Sequence, residues 1–187
     1  MEAYPLFDTP AGAPAAAGAT PPDGPRPALE IVARGLPGPQ GSKRHIGDGR
    51  MIESSAKVKP WRETVSWAAV AARQRTRGFV PLTGPVRADM IFSFARPKTH
   101  YGTGRNAALL RPSAPPRPHV MPDLSKLARS TEDALTTVGV YRDDALIVEY
   151  GVLGKWYTTD HGRVPGVLDS PGCTIRLWAV EPPEEPG

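Results

Sequence analysis

The thirty residues from Met121 to Tyr150, MPDLSKLARSTEDALTTVGVYRDDALIVEY, limit most tightly what this chain can fold into. Leu124, Leu127, Ala128, Thr131, Ala134, Leu135 and Val138 share one face at the helical period, which predicts a helix opened by Asp123. Gly139 supplies a turn, and Asp143-Asp144 open a strand expected from Ala145 to Tyr157. Acids at both ends of such a unit suggest a divalent metal site, but geometry decides whether they can share one. A helix of about 15 residues is roughly 22 Å long. A simple reversal at Gly139 therefore leaves Asp144 far from Asp123. The acids meet only if the strand crosses under the helix, or if another element or a second subunit completes the site.

The flanking sequence supplies the rest of a sheet. Ala28–Arg34 sets Ile31 and Ala33 against Val32, predicting a first strand. Gly35–Ser55 reads as a loop, and its Lys43, Arg44, His45 and Arg50 suit either phosphate contacts or plain solvation. A helix starts near Lys59 or Pro60, since proline suits a first turn, and runs to about Arg77. Its stripe of Trp61, Thr64, Val65, Ala68 and Ala72, together with Trp67, reads as core rather than as a stacking platform. Gly84–Arg96 alternates Val86, Ala88, Met90, Phe92 and Phe94 against Arg87, Asp89, Ile91 and Ser93, a strand with one buried face. Pro97–Pro122 is a long irregular stretch with no acid, and loops of that length are usually functional or disordered. A polar connection at Asp160–Ser170 leads to a last strand, Cys173–Val180.

Strand, helix, strand, helix, strand, strand is an α+β order. It predicts a small mixed or antiparallel sheet of about four strands with two helices packed on one side. Residues 1–27 are dominated by Ala, Pro and Gly and 181–187 by Pro and Glu, so both are expected to be disordered ends around one domain at 28–180.

Composition narrows the function classes. The single cysteine, Cys173, excludes an internal disulfide or a cysteine cage and fits a reducing cytoplasm, and no apolar run approaches the ~20 residues of a membrane span. Six of the 19 acids lie in the two tails with only Arg26 opposing them, so the body carries 22 basic and 13 acidic residues, a charge of +9 against +4 for the whole chain. A positive body with a few clustered acids suits an enzyme that holds phosphates with cations and metal ions with carboxylates, although a basic surface also serves solubility.

Asp123, Asp143 and Asp144 are the candidate ligands. Each also has a plainer role, Asp123 as a helix N-cap and the pair as a polar turn. Mg²⁺, for which Mn²⁺ can substitute, needs only one or two carboxylates plus substrate phosphates, and it would activate water against the scissile phosphate. Ser125, Arg129 and Asp133 recur at spacings of four on the polar side of the helix, flanked by Lys126 and Ser130. Arg129 and Asp133 suit an ordinary ion pair there. Lys98, Arg105, Arg111 and Arg117 precede Asp123 directly and would bring phosphate contacts beside it. Two other nuclease patterns fail: Glu149 has no lysine two residues on, and His45, His100, His119 and His161 are too scattered for an HNH-type cluster.

The segment PDLSKLARSTEDALTTVGVYRDDALIVEY resembles the RusA family of Holliday junction resolvases, whose members carry a DLDN-leucine-x-lysine stretch, then DAL, a glycine and a paired Asp-Asp before a strand. The spacing agrees without a gap. The likeness is weaker over GLPGPQGSKR and the next helix, and absent from the tails. It implies a small α+β homodimer, in the cytoplasm of a bacterium or phage-infected cell, that binds four-way DNA junctions by shape and nicks two opposed strands with Mg²⁺ in recombination and repair. By position, Asp123 and Asp144 match the family's catalytic aspartates, and Asp143 stands beside the second. Arg129 takes the place of a catalytic lysine, keeping charge but losing proton-donor ability. Ser125 replaces a second aspartate with a weak neutral ligand, which Asp133, Asp143 or Glu149 would have to offset, and Lys126 replaces an asparagine with a cation. The alternative is a non-catalytic junction-binding protein with a decayed metal site.

Overall fold

The computed structural model describes residues 26–41, 43–45, 51–53 and 57–180, the two short segments by backbone alone. The expected disordered ends therefore lie outside the described residues, apart from Arg26 and Pro27. In chain order the elements are β1 (Leu29–Arg34), β2 (Lys43–His45), β3 (Met51–Glu53), α1 (Val58–Arg75), β4 (Val86–Phe94), α2 (Leu124–Thr137), β5 (Ile147–Tyr157) and β6 (Gly172–Ala179). Four strands form one sheet in the order β1-β6-β4-β5. β6 runs antiparallel to both β1 and β4, whereas β4 and β5 are parallel because α2 forms the crossover between them. The sheet is mixed, and the fold is α+β as expected.

Both helices cover one face. Inward side chains of the sheet, among them Ile31, Met90, Phe92 and Ile175, join Trp61 and Val65 of α1 and Leu127 and Leu135 of α2 in a single core. The buried Trp61 indole donates to Thr131 Oγ1 at 3.1 Å and ties the two helices together. On the opposite face of β4, Ile91 and Ser93 are also buried, because the 160–171 connection folds over them and Leu168 N donates to Ser93 Oγ at 2.9 Å. That cover explains an isoleucine among the polar positions of β4.

Four local expectations change. Gly35–Ser55 is not only loop, since β2 and β3 pair within it as an antiparallel ribbon. In α1, Ala69 rather than Ala68 completes the buried stripe, and Trp67 is 75% exposed, not core. Two residues past Val65 is about 200° around the helix, the solvent side. Ser130 is fully buried: residues 36–41 lie across α2, and its hydroxyl donates to Gly38 O at 2.6 Å. A side chain at Gly38 would collide with the Lys57 carbonyl, so that crossing requires glycine. Lastly, Asp144–Leu146 forms a 3-10 turn, which delays β5 to Ile147. Among the described residues no helix is long and apolar enough to cross a membrane.

Candidate active site

Asp123 occupies the N-cap position of α2 with an extended backbone, and its carbonyl accepts from Leu127 N at 3.1 Å. Its side chain makes no capping hydrogen bond. The carboxylate is instead half exposed and meets Lys126 Nζ, one turn along the helix, at 3.1 Å. Ser125 is exposed on the same turn. A second ammonium arrives from the sheet: Lys155 of β5 donates to Val120 O at 2.8 Å and Pro122 O at 2.9 Å, within electrostatic reach of Asp123. Desolvation lowers the Lys155 pKa, and Asp123 opposes that shift.

The second pair of acids sits elsewhere. Gly139, at φ +66°, adopts the left-handed conformation that lets α2 end and the chain reverse. Asp143 then accepts Ala145 N at 2.9 Å and caps the 3-10 turn, so part of its ligand capacity is spent on the backbone. Asp144 is half-buried and acts electrostatically on Glu132, Tyr141 and Tyr150. The Tyr150 hydroxyl donates to Glu132 Oε1. Burial pushes the Glu132 carboxyl above its usual range, the Tyr150 hydrogen bond and Arg129 pull it down, and Asp144 and Asp133 add to the rise. Burial likewise raises both tyrosines.

β5 and α2 run past one another in opposite directions: Tyr150 reaches Glu132, and five residues later Lys155 reaches Pro122. Nine residues of helix separate Glu132 from Asp123, roughly 13 Å along the axis. Asp144, which acts electrostatically on Glu132, therefore lies toward the other end of α2 from Asp123, as a simple reversal at Gly139 predicts. Among the described residues no group of three or more His, Cys, Asp or Glu could hold a metal ion.

The other candidates divide. Asp133 turns toward α1 and pairs with Arg62, which also donates to Gln40 Oε1 at 2.7 Å. It forms no pair with Arg129, contrary to expectation, because Arg62 approaches from the packed helix. Arg129 is exposed and makes no ion pair among the described residues. Within the 97–122 stretch, Arg111 Nε donates to Tyr101 O at 2.7 Å. Arg117 Nε donates to Lys155 O at 3.0 Å while its guanidinium lies 4.0 Å from the Trp156 ring centre. Arg96 stacks 3.9 Å from the Tyr157 ring centre and holds Pro115 O at 3.0 Å. These ties pin the cationic stretch along the C-terminal half of β5 as a strap leading into Asp123. Lys98 and Arg105 remain exposed on its two 3-10 turns. Lys43 and Arg44 lie in β2, and their side chains fall outside the described residues. Gln40 N, three residues upstream of β2, donates to Lys126 O at 2.9 Å, so the ribbon leaves the body beside the start of α2.

Glu132, Tyr150 and Lys155 are not marked out by the sequence patterns above. Lys155 has a readable signal, a cation at an inward position between Leu153 and Tyr157. Glu132 has none beyond its place at the edge of the helix's buried face.

Fold and side chains together define a class: a small α+β domain with a four-stranded mixed sheet, an aspartate at the start of its crossover helix and a cationic strap leading into it. The family model for endodeoxyribonuclease RusA matches residues 35–165. The chain belongs to the RusA endodeoxyribonuclease family. No curated protein matches it.

Proposed function

We propose that two copies of this chain act as a Mg²⁺-dependent endonuclease that binds four-way DNA junctions and resolves them by paired symmetric nicks, in recombination and repair. Each cutting centre is assembled from Asp123 of one copy and Asp144 of the other. The observation that supports this reading is that Asp144 acts on Glu132, which stands roughly 13 Å along α2 from Asp123, with a cationic strap beside Asp123. Two carboxylates from two copies, with substrate phosphates, meet what Mg²⁺ requires. A bound ion would polarise the scissile phosphate and supply hydroxide from water.

The chain's own side chains divide the remaining work. Lys98, Arg105 and the strap hold junction phosphates, and Arg129 contributes a fixed charge rather than a transferable proton. Ser125 leaves Asp123 as the one carboxylate of the helix start. Lys126 neutralises it in the free protein and is positioned to turn to phosphate once DNA binds. Two-fold enzyme symmetry matches a substrate with two equivalent strands.

An end-labelled synthetic four-way junction incubated with the protein and Mg²⁺ tests the reading. Symmetric nicks in two opposed strands are expected. A shifted but uncut junction would mark a binding protein instead, and equal cutting of linear duplex would overturn junction selectivity.

A further inference from the structure

We propose that Lys155 is a positioning residue for Asp123, holding the end of the strap against the sheet so that the carboxylate has one fixed direction. This rests on the reading of Asp123 above. The segment before Asp123 has little of its own to hold it: Val120 is 62% exposed and Met121 79%, so apolar burial does not order it. What fixes it is polar. Two of the three Lys155 ammonium donors go to the carbonyls on either side of Met121, at 2.8 and 2.9 Å. The backbone carbonyl of the same residue takes the Arg117 Nε hydrogen bond at 3.0 Å, so residue 155 grips the last six residues of the strap at three points. Its neighbour Gly154 allows this, since a Cβ there would approach Arg117 Nη2 and the Trp156 ring to 2.7 Å.

Lys126 cannot do the same work. It also contacts Asp123, but it belongs to the same helix and moves with it. Lys155 is carried by β5, paired with Phe92 in the neighbouring β4, so its ammonium ties Asp123 to the rigid sheet. The lysine that the family places in this helix is an arginine here, which leaves Lys126 and Lys155 as the amines beside Asp123.

The test compares Lys155→Met, which keeps the stem and removes the donors, with Lys155→Arg and Asp123→Asn in the full chain. In Lys155→Met, backbone ¹⁵N order parameters at Val120, Met121 and Asp123 should fall from about 0.85 to below about 0.6, with those at the centre of α2 unchanged. The kcat for junction nicking should drop about 100-fold, the cost of a misplacement near 1 Å, while metal-free junction affinity stays within about twofold. Lys155→Arg should recover part of the rate. Unchanged order parameters, or normal kcat in Lys155→Met beside an inactive Asp123→Asn, would overturn the role of Lys155 alone. Normal nicking by Asp123→Asn would overturn the assignment of Asp123 itself, and the role of Lys155 with it.

Discussion

Mixing two inactive variants provides the sharpest check on how the cutting centre is built. Asp123→Asn and Asp144→Asn should each abolish nicking while leaving junction binding intact. Carboxylates that share a Mg²⁺ ion each approach it to about 2.1 Å and so lie within about 4 Å of one another. Along α2, Glu132, on which Asp144 acts, stands roughly 13 Å from Asp123, about three times that distance. If each centre takes Asp123 from one copy and Asp144 from the other, a dimer of the two variants has one centre that lost both acids and one that kept both. Random pairing makes about half of the dimers mixed, so an equimolar mixture should regain about a quarter of the wild-type centres. The purified mixed dimer should nick at about half the wild-type rate and cut only one strand of each junction. Co-expression with two different tags isolates that dimer, and a strand-specific label reads the cut. If the mixed dimer binds junctions but cuts nothing, the acids of one chain must act together and the two-copy reading falls.

Three further outcomes follow from the packing and charge. Thr131→Val leaves the buried Trp61 indole N–H without its acceptor and should cost about 1–3 kcal/mol, read from urea unfolding followed by tryptophan fluorescence. Burial raises the Glu132 pKa in the folded chain, so folding favours its protonated form and stability is lost as pH rises from the usual 4.5 through the raised value. Glu132→Gln should therefore melt higher than wild type at pH 7, with the advantage vanishing below pH 4.5; a pH-independent difference would count against burial as the cause. Replacing both Lys98 and Arg105 with alanine should weaken junction binding and lower the slope of log affinity against log salt by about 1.8, the loss of two phosphate contacts, measured by titration across salt concentrations.

Patterns that depend only on neighbours along the chain are legible in the sequence itself. The apolar period of α2, the left-handed glycine at 139, the alternation in β1 and β4 and the α+β order all follow from side-chain spacing, because a helix face and a strand face are set by backbone geometry. What spacing cannot register is who arrives from elsewhere. Trp67 is apolar enough for the core, yet its angle on α1 puts it in water. Ser130 has the spacing of a solvent-facing residue, but residues 36–41 cross α2 and bury it, and Asp133 is spaced to pair with Arg129, but α1 brings Arg62 to it instead.

The same division runs through the site. By itself the sequence determined that Asp123 opens the helix, that Asp143-Asp144 follow the turn, and that a cationic stretch precedes them, because order along a chain fixes which groups begin and end each element. Only the tertiary structure decided that Tyr150 bonds Glu132 within electrostatic reach of Asp144, and that Lys155 reaches back to the carbonyls before Asp123. Those contacts come from the antiparallel course of α2 and β5, where residues far apart in sequence face one another across a packed interface.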